Sequence, residues 1–574
     1  MRHLRIRALA AIAILVTMAA CESAPDVEPA TLVLRNGKVV TVDPAMPEAQ
    51  AVAIRDFTIV AVGSDADIEP FVGATTEIID LNGRLAIPGF IEGHGHYMGL
   101  GRAKMILDLT EVANFDEIVA MVRDAAAQAS PGEWIFGRGW HQEKWDRMPQ
   151  PNVEGVPLHA ALDSVSPDNP VLLTHASGHG AFANGAALRA AEIGTGTPDP
   201  AGGQIVRDAN GNATGLLRET AQGMVSRASN RGGDQRSTEE IYAEQKRQVD
   251  LAGQEALEKG VTSFQDAGSG FGTIDFLKTL EDRGELPVRL YVMVRGESAE
   301  SLEANLDNYF MPADGNDFLT VRSIKQSIDG ALGVHGAWML EPYADLDTEG
   351  HNTTDLETIE RLSRIAWDHN FQMNIHAIGD RGNRQVLDLY ENIFADGDGQ
   401  ARRWRIEHAQ HIHPDDVPRF GQLGVIAAMQ GVHCTSDAPW VYARLGEERA
   451  RSGAYVWQDL MRSGAVVTNG TDAPVEDISP IESFYSTVSR RTADGSVFFP
   501  DQRMSRDEAL YSYTMANAFA AFEEDIKGSI TVGKLADITI LDRDIMTIPE
   551  DQILLTLVDH TIVGGDVRYT RDQN

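Results

Sequence analysis

Two histidines stand two residues apart in Pro88-Gly89-Phe90-Ile91-Glu92-Gly93-His94-Gly95-His96, at the end of an apolar segment. The two-residue period of a strand sends both imidazoles to one side, where they can bind one cation. The glycines around them indicate crowding against something compact. Three more segments end on a similar group. In Phe371 to His376, apolar and polar residues alternate and His376 shares a face with Asn374; Trp404 to His408 ends on a histidine, and Val466 to Asp472 on an aspartate. Any one of these most often serves a structural purpose. Together, His94, His96, His376, His408 and Asp472 are a donor set for a divalent transition metal. Imidazole with carboxylate suits zinc best, with iron, manganese and nickel also compatible.

Groups so far apart in sequence can meet only if the strands carrying them end on one face. The middle of the chain alternates buried-strand patterns with helical stretches, as a parallel α/β fold does. A (β/α)8 TIM barrel gathers all its strand ends on one face. Spacing gives a separate test, because one βα unit takes about 30 residues. His376 and His408 lie one unit apart, His408 and Asp472 two, and Lys325 precedes His376 by one unit with a long loop. His96 is too far from Lys325 for a plain run of units, so an insertion must follow strand one. The remaining groups then fall at strands four, five, six and eight. Gly379-Asp380 is expected to start the helix after His376. Gly268-Ser269-Gly270-Phe271-Gly272 lacks the dinucleotide-binding spacing and reads as a loop.

Both ends of the chain have a different texture. From Ala30 to Ala86 the sequence reads as short strands around the Asn36-Gly37 turn, and similar runs return at Gly528 to Ile530, Ala536 to Leu541 and Thr561 to Gly565. The two ends are expected to share one sheet structure and so bring the termini together around a central domain. At 574 residues the chain exceeds what one core usually serves. Asp and Glu outnumber Lys and Arg by 85 to 49, which repels phosphate backbones, so nucleic acid is not an expected partner.

Arg2, Arg5 and Arg7 precede an apolar run from Ala8 to Ala20, the pattern of an export signal too short to span a bilayer comfortably. Met18-Ala19-Ala20-Cys21 resembles a bacterial lipobox, in which the cysteine is lipidated and becomes the mature N-terminus. Export to the cell envelope is expected, with membrane contact only through that lipid anchor. Only Cys434 then remains, so the mature chain forms no internal disulfide.

The chain resembles the amidohydrolase superfamily, and within it the YtcJ-like amidohydrolases (amidohydrolase family 3) that include N-substituted formamide deformylase. The resemblance covers nearly the whole mature chain. It is carried by Pro88 to His96, Trp134-Ile135-Phe136-Gly137-Arg138-Gly139-Trp140, Gly202-Gly203-Gln204-Ile205, Arg207-Asp208, Thr214-Gly215 and Gly260-Val261-Thr262-Ser263. Ile375 to Asp380, Arg405 to Gln410, Gly470 to Val475 and Gly533 to Asp537 complete it. The resemblance implies a metal-dependent hydrolase barrel (88–96 and 238–524), a composite β-sandwich from both termini (30–87 and 525–574) and an insertion domain (97–237), after a signal peptide (1–20). It further implies that His94, His96 and Asp472 hold one metal and His376 and His408 a second. Lys325, carboxylated by carbon dioxide, would bridge them, since a carbamate is anionic and bidentate where an ammonium is a poor ligand. Asp472 would serve as the proton carrier in hydrolysis of an amide or formamide-like C–N bond.

His179, His335 and His433 are candidates for contacting a small-molecule substrate, and His175 could line the same pocket. Trp140, Trp338 and Trp440 are candidates for an apolar wall, although large aromatics more often fill cores. A homo-oligomer is compatible with the sequence. The competing readings are hydrolysis of an ester, lactone or cyclic amidine on the same centre, and a non-catalytic ligand-binding lipoprotein.

Overall fold

Eight parallel strands carry the centre of the molecule: β1 (Phe90–Gly95), β2 (Val261–Ser269), β3 (Arg289–Val294), β4 (Leu319–Ser327), β5 (Gln372–Ala377), β6 (Arg405–His408), β7 (Ile426–Gln430) and β8 (Val467–Gly470). Each pairs in parallel with the next. No ladder joins β8 to β1, but the chain leaving β8 crosses that seam. The Asp472 N–H donates to the His94 carbonyl at 2.7 Å, and the His96 N–H to the Ala473 carbonyl at 2.7 Å. The result is a nearly closed barrel in a mixed α/β fold. The computed structural model describes residues 27–231 and 236–572. The export signal and Cys21 lie outside the described residues, among which no helix is long and apolar enough to cross a membrane.

The sequence forms this barrel for a simple reason. Strands buried on both faces must be apolar along their length, and Leu290-Tyr291-Val292-Met293-Val294 is buried throughout. Helices cover the outside through one apolar stripe each. In Leu356–Asp368, Asp355 caps the first turn by accepting from the Thr358 N–H, and Ile359, Leu362, Ile365 and Ala366 face inward. Each such large aliphatic side chain contributes about 1.5–3 kcal/mol on burial. Helix Asp380–Phe394 begins after β5 with Gly379 at its cap, as the sequence indicated. The reading of Gly268 to Gly272 as a loop is corrected: β2 runs through Ser269, and helix Phe271–Glu281 starts one residue beyond Gly270. Gly268 has φ +132°, a bend inside the strand that other residues resist, and this bend hid the strand.

Between β1 and β2 the chain builds a separate six-stranded sheet from Leu107–Asp108, Ile135–Trp140, Val171–His175, Gly180–Ala183, Gly203–Arg207 and Ala213–Glu219. Its apolar clusters are its own. Helix Thr238–Glu258, fixed at its start by the Ser237–Glu240 capping box, returns the chain to the barrel.

Strands from the two ends lie in one six-stranded sheet, in which Leu85–Pro88 pairs antiparallel with Ile538–Leu541. A four-stranded sheet from the N-terminal region alone packs against it, Leu34, Val52 and Ile54 meeting Ile538, Ile540 and Ile562. Gly528 to Ile530 is a turn instead of a strand, with Gly528 at φ +88°, yet the Ile530 side chain still enters this cluster.

Candidate metal centre and substrate cleft

Four imidazoles form a chain across the C-terminal mouth of the barrel. The His96 and His94 ring centroids are 5.9 Å apart, those of His94 and His408 4.7 Å, and those of His408 and His376 4.4 Å. Asp472 joins them from the far side of the seam, its Oδ1 lying 3.5 Å from His94 Nε2 and 3.2 Å from His96 Nε2. Donor atoms of His94, His96 and Asp472 all lie within 4.8 Å of one another. Local backbone directs two of these groups. His408 has φ +73° and Asp472 φ +60°, left-handed conformations at the ends of β6 and β8. A histidine or aspartate there is uncommon, and the turn re-aims each side chain after its strand stops. The glycines flanking His94 turn out to accommodate protein. A Cβ at 93 would lie 2.4 Å from the Asn469 carbonyl, and one at 95 would lie 2.6 Å from the Phe264 ring.

These groups fit a cation on their own evidence. His94 Nε2, His376 Nε2 and Asp472 Oδ1 are buried without a hydrogen-bond partner. Leaving such atoms unsatisfied costs about 1–3 kcal/mol each, and one or two ions would give all of them partners. Burial pushes the His94 imidazole down to about 4, helped by the nearby Lys325, and drives His376 and His408 well below the usual histidine range. Their nitrogens are therefore free to ligate at neutral pH. For Asp472, burial acts the other way, but the adjacent His96 and the surrounding imidazoles hold the carboxyl well below its ordinary value.

A second ring of side chains sets the direction of the first. His94 Nδ1 meets Glu407 Oε2, whose other oxygen lies 2.7 Å from Arg405 Nε. Burial would raise Glu407, yet Arg405 and His94 hold it at about 2. This carboxylate accepts the hydrogen bond of the Nδ1–H, which keeps the proton on Nδ1 and leaves His94 Nε2 to face Asp472. Gln430 Oε1 does the same for His408 Nδ1 at 2.7 Å. Asp329 accepts backbone N–H groups of Trp338, Ile378 and Gly379, and its Oδ1 is 3.5 Å from His376 Nε2. Burial pushes its carboxyl up to about 7. Lys325, in β4 opposite Asn374 of β5, is 2% exposed, and among the described residues it forms no ion pair, with Asp329 or any other carboxylate. Burial and the Arg295 charge push its amine down to about 7.

A cavity of about 60 Å³ lies over this cluster, lined by His376, His408 and Asp472 from the barrel and His141, His175 and His179 from the insertion. It has room for water-sized molecules but is smaller than the roughly 300 Å³ of a usual ligand site. His96 and His179 also line a cleft of about 1160 Å³ between insertion and barrel, which has room for a substrate body. His179 is brought to the site, its ring 5.0 Å from His376 and its Nδ1 2.7 Å from Glu219 Oε2. His433 also reaches it, stacked 6.2 Å from His408 with Nε2 unpartnered. It opens helix His433–Leu445, just after β7. His335 does not reach it. Its Nε2 contacts Asp345 at 3.1 Å and its ring packs on Tyr343, because a turn at φ +60° carries it to a different groove. His175 lines the cavity with both nitrogens engaged, by Ser177 and Gln142. The three tryptophans form no common wall. Trp140 is in the insertion's core, Trp338 lies under Arg381, and only Trp440 faces the cavity, beside His141.

Sequence reasoning passed over Glu407, Gln430, Asp329, His141, Arg138 and Arg295. For Glu407 a signal existed: Arg405 and Glu407 alternate with Ile406 in a short strand that follows Trp404, which places two charges inside the barrel.

A barrel whose strand ends gather imidazoles and a carboxylate at one mouth defines a metal-dependent hydrolase. The chain belongs to the amidohydrolase family, whose model matches residues 77–569. It is similar to Protein LONG AFTER FAR-RED 3 of Arabidopsis thaliana, at 34% identity over 90% of this chain and 88% of the relative. Putative amidohydrolase YtcJ of Bacillus subtilis is 30% identical over 91% and 96%, and N-substituted formamide deformylase of Arthrobacter pascens 27% over 94% and 98%. Among solved structures, an uncharacterized metal-dependent hydrolase from Pyrococcus horikoshii superimposes with a TM-score of 0.70 at 26% identity, covering 91% of this chain and 99% of the other. Family and neighbours imply a divalent metal.

Proposed function

We propose that the protein hydrolyses the C–N bond of an amide or formamide-like small molecule. Zinc is the favoured metal, and export as a lipoprotein anchored through Cys21 is part of the proposal. The observation that carries the reading is the convergence of His94, His96, His376, His408 and Asp472, with His94 Nε2, His376 Nε2 and Asp472 Oδ1 buried and unsatisfied by the protein. Similarity to N-substituted formamide deformylase supports the choice of bond. His94, His96 and Asp472 are assigned to one ion and His376 and His408 to a second. We assign the domains as a composite β-sandwich (30–87 and 525–574), a barrel (88–96 and 238–524) and an insertion (97–237).

When bound, a divalent ion supplies Lewis acidity toward the scissile carbonyl and acidifies water. The chain's own groups supply the rest. Asp472, ionised and close to both His94 and His96, accepts the proton of the attacking water and delivers it to the departing nitrogen as the C–N bond breaks. His179 and His433 orient the substrate carbonyl from opposite walls. Lys325 is assigned as a carbamate bridge: its neutral amine adds carbon dioxide, forms an N–C bond and releases one proton. A buried ammonium without an ion pair is costly, and conversion to a carbamate removes that charge while creating two oxygen ligands.

Purified protein is expected to hold one to two equivalents of a transition metal and to hydrolyse members of a panel of formamides and N-acyl amino acids. Asp472→Asn should abolish turnover with the circular dichroism spectrum retained, since asparagine tolerates the left-handed backbone at this position. Full activity in metal-free protein would sink the mechanism. Turnover confined to esters or lactones would keep the metal centre and overturn the C–N assignment.

A further inference from the structure

Acidic groups and a metal explain how a bond could be cut, but not what the large cleft holds. Five arginines line it. Arg102 and Arg227 are exposed, and Arg361 pairs with Glu300 and Glu303 on the rim. Arg138 and Arg295 differ. Both are only partly exposed, both belong to the wall that includes His96 and His179, and among the described residues neither forms an ion pair. Arg138 donates from Nε to the Pro474 carbonyl at 3.3 Å and from Nη2 to the Ala176 carbonyl at 2.9 Å. Arg295 reaches the Ala267 carbonyl at 3.5 Å and Ser327 Oγ at 3.4 Å. Carbonyls and a hydroxyl fix the two guanidiniums in place without neutralising them.

The acids nearby are already engaged. Asp266, which acts on Arg295, accepts from the Tyr97 N–H and from Ser269, and Asp472, which acts on both arginines, lies against His94 and His96; Glu219 holds His179, and Glu297 accepts from the Phe271 N–H and from Ser301. The chain also makes room for Arg295, since a Cβ at Gly268 would lie 2.5 Å from its side chain. Arg295 follows β3 of the barrel and Arg138 lies in the insertion strand Ile135–Trp140, so the pair faces the cleft from two bodies of secondary structure.

We propose that Arg138 and Arg295 form a carboxylate-binding subsite, so that the substrates are N-acyl compounds carrying a carboxylate near the scissile bond, as in an N-acyl amino acid. Guanidinium recognises carboxylate through paired N–H groups with a match that lysine lacks. A net charge of −36 would repel such a substrate at long range, which makes a local cationic pair the means of retaining it. This inference rests on the hydrolase reading for the word substrate, but the subsite itself is open to a binding test.

The test uses the full metal-replete protein, with N-acetylphenylalanine and its carboxamide as probes. Binding is read by calorimetry and turnover is followed in parallel. The acid is expected to bind at least about 10-fold more tightly than the amide. Arg295→Gln and Arg138→Gln should each weaken the acid by about 10- to 100-fold and shift the amide by less than about 2-fold, and Arg295→Lys should recover part of the loss. Equal binding of acid and amide by the unaltered protein, no binding of either, or variants that lose both probes alike would overturn the subsite. Discrimination for the acid without hydrolysis of any panel member would leave the subsite standing and remove the hydrolase reading.

Discussion

Glu407 shows how much of the site's chemistry lies one residue behind the ligands. It is wholly buried, bound to His94 Nδ1 on one side and Arg405 on the other, and it touches no substrate space. Its work is to choose which His94 nitrogen carries the proton. Glu407→Gln keeps the shape but removes the charge that favours an Nδ1–H, so metal affinity is expected to fall about 10- to 100-fold, measured by competition with a chelator. Unchanged affinity would mean that Arg405 and packing alone orient the ring. Buried neutral histidines away from the ligand cluster make a separate prediction. Both ring nitrogens of His411 lack partners, and burial pushes its imidazole down to about 3. Between that value and the ordinary histidine value of about 6.5, the unfolded chain binds a proton that the folded chain refuses. Stability should therefore fall as pH drops through this window, by about 1.4 kcal/mol per pH unit for one such group. His411→Phe should flatten that acid limb by one proton in urea titrations at stepped pH, while an unchanged limb would refute the assignment.

At the scale of elements, the helix Leu356–Asp368 and strand β5 work as one unit, because the helix's buried stripe backs the strand that presents His376. Asp355→Ala removes the cap on the Thr358 N–H and should cost about 1 kcal/mol in unfolding free energy, while leaving metal content intact. Loss of metal with little loss of stability would show instead that the helix start is coupled directly to the site. Much at this scale was legible in the sequence. Alternation exposed β5 and its histidine, and unit spacing separated strands four, five, six and eight and called for an insertion after the first. What stayed hidden has physical causes. Gly268 bends β2 at a positive φ and so imitates a loop. His335 follows β4 by only a short stretch, but a left-handed turn sends it to another groove, and sequence distance carries no information about direction. His408 has the parity of residues that leave the barrel interior, since Arg405 and Glu407 occupy it; only its backbone at φ +73° returns it to the mouth. Arg138 and Arg295 read as ordinary charged residues, because a missing counter-ion is visible only in three dimensions.

The whole molecule combines a barrel, an insertion and a terminal sheet, each contributing something the others lack. The barrel supplies ligands, while the insertion supplies Arg138, His141, His175 and His179 and so determines what reaches the ligands. The terminal sheet contributes nothing to either cavity, and its role is one of order. Leu85–Pro88 leads directly into β1, yet its antiparallel partner Ile538–Leu541 lies beyond the last barrel strand and is made only after it. Pairings of such long sequence separation form slowly and only after synthesis has supplied both strands. The strand that leads into the first histidines thus has only its parallel neighbour Lys38–Val40 until synthesis has passed the barrel. A chain stopped short of Ile538 cannot complete that sheet, so the finished lead-in to the first barrel strand in effect certifies that translation has passed through the whole barrel.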